Sequence, residues 1–413
     1  MQQPDACGRF ILAGVVLLAW LGTAHAGFTV LHAFTDGSDG ANPAADLIDD
    51  SSGNLYGTTA EGGGSGCNRL GCGTVFKLAP DGTESVLYAF TGGSDGSVPA
   101  GVLTKDKGNN LYGTTGQGGG SDCGGRGCGT VFKLAPDGTE TILHIFTGGS
   151  DGDAPEGGLI KDKTGNFYGT TLEGGGTYAG CNEGCGIVFE ITMDGTETVL
   201  HAFTGGSDGA FPVSELMRDK AGNLYGTTQE GGGTDCNGIG CGTVFELAPD
   251  GTESVLYAFT SGSDGAWPEG GLIGDGAGNL YGTTAEGGGT NCSGLGCGTV
   301  FKLAPDGTEV VLHAFTGGSD GAGPVARLTR DKAGNLYGTT LDGGSTGCGG
   351  SGCGTVFRIA PDGTESVLYA FRRKSGAYPF AGVIKGDSGV LYGTAFEGGP
   401  NCKLCGTVFK FTP

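Results

Sequence analysis

The chain repeats itself, and the repetition limits what it can fold into more than any other property. The run Gly278-Asn-Leu-Tyr-Gly-Thr-Thr284, a glycine-rich loop holding Cys292 and Cys297, and then Gly298-Thr-Val-Phe-Lys-Leu303 recurs with small changes. Its copies are centred on Tyr56, Tyr112, Tyr168, Tyr225, Tyr281, Tyr337 and Tyr392, at intervals of 55 to 57 residues, a period in the propeller range. Each unit reads as four short strands. In the unit near Gly270 these are 271–274, 279–284, 299–303 and 310–315, divided by turns such as Asp275-Gly-Ala-Gly278 and Pro305-Asp-Gly307. No apolar pattern of period 3.6 is long enough for a helix, so the chain is all-β.

Seven units of this kind close into a seven-bladed β-propeller or stack into an open solenoid. The ends favour the ring. Residues 28–34 form an orphan fourth strand, and the last unit stops after its third strand, 406–411. The N-terminal strand is therefore expected to complete the last blade. A solenoid would need polar capping units, and none is visible. The domain reading is a secretory signal peptide over 1–26 and one propeller over 27–413.

The leader is read from Arg9, the apolar run 10–21 and the small-residue pattern Ala24-His25-Ala26. The run is shorter than the roughly 18–20 apolar residues that cross a bilayer. No cysteine follows the cleavage pattern, so no lipid anchor is indicated. The expectation is a secreted or periplasmic protein, a monomer, with no membrane insertion once the leader is removed.

Of 15 cysteines, Cys7 lies in the leader. The other 14 form close pairs, one per unit: Cys67/Cys72, Cys123/Cys128, Cys181/Cys185, Cys236/Cys241, Cys292/Cys297, Cys348/Cys353 and Cys402/Cys405. A zinc site would need two pairs brought together, and here each pair sits in a separate unit. Structural disulfides are the simpler reading for an exported chain. The formal charge of −22 argues against nucleic-acid and anionic-membrane partners, which are bound through basic patches. Glycine, at 93 of 413 residues, falls at fixed turn positions and does not signal disorder.

The strings Gly-Asn-Leu-Tyr-Gly-Thr-Thr (222–228, 278–284, 334–340) and Gly-Thr-Val-Phe (242–245, 298–301, 354–357) resemble those of the bacterial GloVer-type tandem-repeat proteins. That resemblance covers nearly all of the mature chain and implies an exported protein. The family has no assigned function and supplies no catalytic residues to carry over. Some members carry a C-terminal surface anchor. This chain stops at Pro413 without an apolar tail, so free secretion is the expectation here.

Loops after the second and fourth strands of a propeller blade share one face. Here these are the disulfide loop and the Ser-Asp-Gly-x-x-Pro loop. That face should carry two polar rings. One is Glu61, Gln117, Glu173, Glu230, Glu286, Asp342 and Glu397; the other is Asp39, Asp95, Asp151, Asp208, Asp264 and Asp320, with Ser375 in the last unit. Aspartate in Ser-Asp-Gly is expected to bond its own turn. Calcium is the alternative, but no EF-hand loop or nonapeptide repeat is present, and no cofactor is expected. His32, His144, His201 and His313 share a slot with Tyr88, Tyr257 and Tyr369, which reads as packing.

Positions that vary within the repeat are more informative. Before the loop proline stand Asn42, Val98, Ala154, Phe211, Trp267, Gly323 and Tyr378. Phe211, Trp267 and Tyr378, with Glu230 and Glu286, are the candidate ligand-binding residues, because aromatics beside carboxylates hold sugars or cations. Burial against a neighbouring loop is the other reading of these rings. Arg372-Arg-Lys374 puts a basic spot on the acidic face. The functional expectation is a binding or interaction module for a glycan, peptide or protein. The alternative is a secreted lyase or glycosidase using carboxylates of the loop face. Against catalysis, equivalent carboxylates recur in nearly every unit.

Overall fold

In the computed structural model, which describes residues 27–176, 180–386 and 389–413, seven four-stranded antiparallel sheets form a seven-bladed β-propeller. Blades 1 to 6 span 48–89, 104–145, 160–202, 217–258, 273–314 and 329–370, each running from the innermost strand outward. Blade 7 takes its inner three strands from 383–412 and its outermost from Gly27–Ala33, which pairs antiparallel with Thr407–Thr412. The ring thus closes with the first strand filling the last blade, as its orphan position implied. Among the described residues there is no α-helix, only short 3-10 turns such as Cys292–Gly294 in the disulfide loops. The leader, 1–26, lies outside the described residues.

Innermost strands are shorter than the pattern suggests: Ile273–Gly274 replaces the expected 271–274. Here the blades converge on the axis, and Gly270 and Gly271 lie against the backbone of Ala326 and Glu215 instead of pairing in the sheet.

Each blade buries its faces on its neighbours, and one contact repeats at every seam. Phe34 meets Phe76 edge to face at 5.3 Å across the closing seam, and the other six seams carry Phe90–Phe132, Phe146–Phe189, Phe203–Phe245, Phe259–Phe301, Phe315–Phe357 and Phe371–Phe409. Edge-to-face pairs at this spacing add about 0.5–1.5 kcal/mol beyond the area they bury. The invariant glycine of Leu-Tyr-Gly-Thr-Thr follows from this packing. A Cβ on Gly282 would come within 2.6 Å of Phe301 Cζ.

All seven cysteine pairs are disulfides. Each lies in the loop between the second and third strands of its blade, as the spacing implied, and one cysteine of each pair goes deeper than a surface loop would take it. The first cysteine of most pairs is partly exposed, but the second is buried: Cys72 is 1% exposed and Cys405 0%, and Cys128, Cys185, Cys241, Cys297 and Cys353 are buried as deeply. The cause is local, because the third strand begins two residues later and draws the second cysteine into the seam. Cys72 packs in the cluster of Phe90 and Phe132, and Cys405 in that of Phe34 and Phe76. These sulfurs therefore belong to the core between blades and are closed to a ligand.

The tyrosine at the centre of the repeat is tied to a turn in blades 1 to 6. Asp50 accepts hydrogen bonds from Ser52 N, Asn54 N, Asn54 Nδ2 and Tyr56 OH, each at 2.9–3.0 Å. Burial opposes the Asp50 charge, but these donors outweigh it and hold the carboxyl well below its usual range.

Candidate functional site

The loop into each new blade passes Ser-Asp-Gly, a variable residue and proline before reaching the innermost strand. Its aspartate belongs to the scaffold: Asp208 accepts from Thr204 N at 2.8 Å and Thr204 Oγ1 at 2.6 Å, and the same pattern holds for Asp39, Asp95, Asp151, Asp264 and Asp320. The His/Tyr slot faces this carboxylate, with His32 Nε2 3.4 Å from Asp39 and Tyr88 OH donating to Asp95 at 3.2 Å. Burial lowers the pKa of His32, His144, His201 and His313, the nearby carboxylate opposing it.

The variable residue before the proline adopts left-handed backbone in every unit, φ being 60° at Phe211, 57° at Trp267 and 55° at Tyr378. Its N–H reaches back to the buried second cysteine of the preceding blade. Asn42 donates to Cys405 O across the closing seam and Val98 to Cys72 O; Phe211 donates to Cys185 O, Trp267 to Cys241 O and Tyr378 to Cys353 O. The three aromatic side chains are consequently half-buried against the disulfides of three separate seams. Tyr378 OH donates to Cys348 O at 3.2 Å. The fold does not gather them into one cage.

After the proline, two positions per unit face the axis. The first places Ala44, Ala100, Glu156, Val213, Glu269, Val325 and Phe380 around a small upper funnel of about 120 Å³. Phe380, 42% exposed and edge to face with Phe396 at 5.0 Å, is the most open aromatic among the described residues. The third places Asp46, Val102, Gly158, Glu215, Gly271, Arg327 and Gly382 at a waist. Asp46, Glu215 and Arg327 line both the funnel and a lower chamber of about 890 Å³.

The waist is asymmetric. Arg327 Nη1 of blade 6 donates to Glu215 Oε2 of blade 4 at 2.8 Å, passing blade 5 where Gly271 leaves space. Asp46 Oδ1 of blade 1 accepts from Gly382 N at 2.6 Å. Burial pushes Asp46 and Glu215 above the usual carboxylate range, with Arg327 pulling both the other way. On the rim, burial also raises Glu156 and Glu269; Glu173 adds to the first, while the Gln229 amide, 2.9 Å from Glu269, eases the second. Glu286 is close enough to Glu269 to repel its charge, and burial raises both Glu230 and Glu286. The arrangement is a carboxylate-rich funnel with an aromatic edge and an ion-paired floor.

A repeat named for Gloeobacter and Verrucomicrobia matches residues 18–240, 121–351 and 239–413. The chain belongs to the Gloeobacter/Verrucomicrobia repeat family. No curated protein sequence matches it. Among solved structures, virginiamycin B lyase from Staphylococcus aureus aligns with a TM-score of 0.57 at 10% identity, over 94% of this chain and 100% of that one. The extracellular domain of a hybrid two component system from B. thetaiotaomicron aligns with a TM-score of 0.56 at 9% identity, over 93% of this chain and 39% of that one. At these identities the likeness is one of fold.

At the lower end, this Gloeobacter/Verrucomicrobia repeat protein turns basic. Lys105, Lys161, Arg218, Arg330 and Lys385 end the innermost strands, and each lies over a tyrosine of the preceding blade, at 4.8–5.6 Å from Tyr56, Tyr112, Tyr168, Tyr281 and Tyr337. Three of them also meet the turn aspartate there, the closest being Lys385 to Asp331 at 3.2 Å. On the loop face, Arg373 Nη1 of the basic spot lies 3.8 Å from Glu397. The waist and Phe380 were missed by sequence reasoning, although the signal existed: charged and aromatic residues stand one and three places after the proline, where other units have Ala, Val or Gly.

Proposed function

We propose that the protein is an exported, disulfide-stabilised propeller that binds an extracellular ligand at the upper mouth of its channel, a glycan fitting best. The observation carrying this reading is the singular Asp46–Glu215–Arg327 waist beneath Glu156, Glu269 and the exposed ring of Phe380. Carboxylates accept hydrogen bonds from sugar hydroxyls, and a partly exposed aromatic ring packs on the apolar face of a sugar. A funnel of about 120 Å³ admits the end of a chain, with the remainder lying over the loop face. There Glu286 and Glu230, and the partly exposed edges of Trp267, Phe211 and Tyr378, form the outer contact surface. A peptide or protein with a cationic tip is the other partner that this charge pattern suits. The seven disulfides support an oxidising location outside the cytoplasm. Among the described residues no helix is long and apolar enough to cross a membrane.

Glycan-array screening of the oxidised protein tests this, followed by titration calorimetry on Glu215→Gln and Phe380→Ala. The expected result is a saccharide ligand whose affinity falls at least tenfold in each variant. Affinity lost only in Lys161→Gln or Arg218→Gln would move the site to the lower chamber and overturn the reading.

One observation favours a second reading, catalysis by a lyase or glycosidase. Asp46 and Glu215 are the two carboxylates at a repeat position that holds Val102, Gly158, Gly271, Arg327 or Gly382 in the other blades, and burial holds both toward the protonated form that a general acid needs. Turnover of the bound saccharide, lost in Glu215→Gln while binding survives, would select it.

A further inference from the structure

The seam between blades 2 and 3 departs from the other six in three places at once. Asp153 stands where other units have Ala41, Ser97, Ala210, Ala266, Ala322 and Ala377. Glu183 lies in a disulfide loop with a cysteine spacing of four, where blades 1, 2, 4, 5 and 6 have five. Arg126 projects from the disulfide loop of blade 2. Oxygens of Asp153, Glu173 and Glu183 all lie within 4.8 Å of one another. Asp153, Glu183 and Arg126 line a cleft of about 570 Å³.

Arg126 Nη2 is the only cation here among the described residues, 3.4 Å from Asp153 Oδ2 and 3.3 Å from Glu173 Oε2. One guanidinium leaves three carboxylates undercompensated. Asp153 is 2% exposed, lines the cleft, and its Oδ1 has no hydrogen-bond partner among the described residues. A buried carboxylate oxygen without a donor is costly, and the β-scaffold does not require one, since alanine serves in five other units. Burial and mutual repulsion hold Glu173 above its usual range, and burial does the same for Asp153 against the pull of Arg126. The adjacent Cys123 and Cys128 are joined in a disulfide and offer no thiolate.

We propose that Asp153, Glu173 and Glu183 form a calcium site, and that Arg126 bridges Asp153 and Glu173 until the ion displaces it. The ligands are all oxygen, able to bind through one atom or two, in irregular surroundings, as calcium accepts at about 2.3–2.6 Å. The ion supplies the partner that Asp153 Oδ1 lacks. Arg126, with its side chain 46% exposed, has solvent to swing into. The proposal is independent of the glycan reading.

The test uses the oxidised mature chain, stripped with EDTA and titrated with CaCl₂ by calorimetry, with Tb³⁺ luminescence as a second readout. The expected result is one saturable site per chain, binding Mg²⁺ more weakly. Asp153→Asn should weaken calcium at least tenfold, and Glu61→Gln, at the Glu173 position of blade 1, should leave it unchanged. Arg126→Ala should tighten binding, an effect that a misfolded chain would not give. No saturable uptake by the wild type would overturn the proposal, as would uptake that Asp153→Asn leaves intact. Uptake by Arg126→Ala alone would also count against it, because the guanidinium would then be the permanent cation of the seam.

Discussion

At the lower mouth of the channel, the charge that a unit adds is met by its neighbour. Lys161 lies over Tyr112 and 4.0 Å from Asp106, and Lys385 lies over Tyr337 and 3.2 Å from Asp331. Where the sequence drops the cation, as at Asp49 on the closing seam, the partner aspartate is gone too, replaced by Gly386. Gly274 is the one place where the cation is lost and the aspartate stays, and there Asp219 is held within its own blade by Asn223 and Tyr225. At the upper mouth no such rule operates. Asp46, Glu215 and Arg327 come from blades 1, 4 and 6, and Glu156 and Glu269 from blades 3 and 5, with no repeated partner for any of them. Charges that recur together hold blades in register. Charges without a repeated partner are not needed for that register, and on the binding reading proposed above that difference separates scaffold from site in a molecule whose units are nearly identical.

The strongest way to break this division is at the seams. Phe245→Ala and Phe301→Ala each remove a fully buried ring that meets a partner at 5.1 and 5.2 Å. Each should cost about 3–5 kcal/mol in denaturant melts. Because the contact is the same in every blade, the two values should agree within about 1 kcal/mol; a larger gap would show that the blades are not equivalent. Next in size is a disulfide. Converting Cys292 and Cys297 together to alanine should cost about 2 kcal/mol by loop-closure entropy, without moving the fold. A measured cost near zero would mean that the Gly-rich loop is already rigid when reduced.

The waist should respond in the opposite sense. Arg327→Gln breaks an ion pair whose arginine side chain is 39% exposed but whose glutamate is only 13% exposed; Glu215 can take up a proton once the guanidinium is gone, so stability should fall by only about 1–2 kcal/mol. Ligand affinity should fall about tenfold or more, the converse of Lys161→Gln, where binding should hold. If Arg327→Gln unfolded the protein, the waist would be scaffold and the division would fail.

How much of this was legible beforehand follows the same division. The blade period, the disulfide pairs and the strand exchange at the closing seam are written in strings short enough to recur, and each copy makes the same contacts. That Cys72 and Cys405 are core while their partners Cys67 and Cys402 are not was less plain, since depth within a seam depends on the neighbouring blade. The waist is not local either. Arg327 and Glu215 are 112 residues apart, and nothing short of the closed ring shows that they face each other. Attention to the residue before the proline selected Phe211, Trp267 and Tyr378. That position carries left-handed backbone and packs on a disulfide, so its variation reflects what fits over a seam as well as what a ligand could touch. One residue past the proline, Phe380 carries the exposed ring, and the repeat had marked it as plainly.

The smallest effect concerns a repeated charge with no partner. Glu253 opens the outermost strand of blade 4, and its Oε1 is buried without a hydrogen bond, as in the equivalent Glu84, Glu140, Glu197, Glu309 and Glu365. Burial, with some repulsion from Asp208, pushes its pKa up from 4.5 to about 7. The folded state then keeps a proton that the unfolded chain releases above pH 4.5. Wild-type stability from this group is therefore full at low pH and is lost as pH rises toward 7. Glu253→Gln mimics the protonated form, so it should match the wild type near pH 4.5 and melt higher at pH 8, the gap growing through the interval between. Comparing both proteins at each pH cancels the histidines, whose lowered pKa values work the other way, removing stability as pH falls below 6.5. A gap independent of pH would mean that Glu253 is charged in the folded protein, and the seam would be more solvated than its geometry implies.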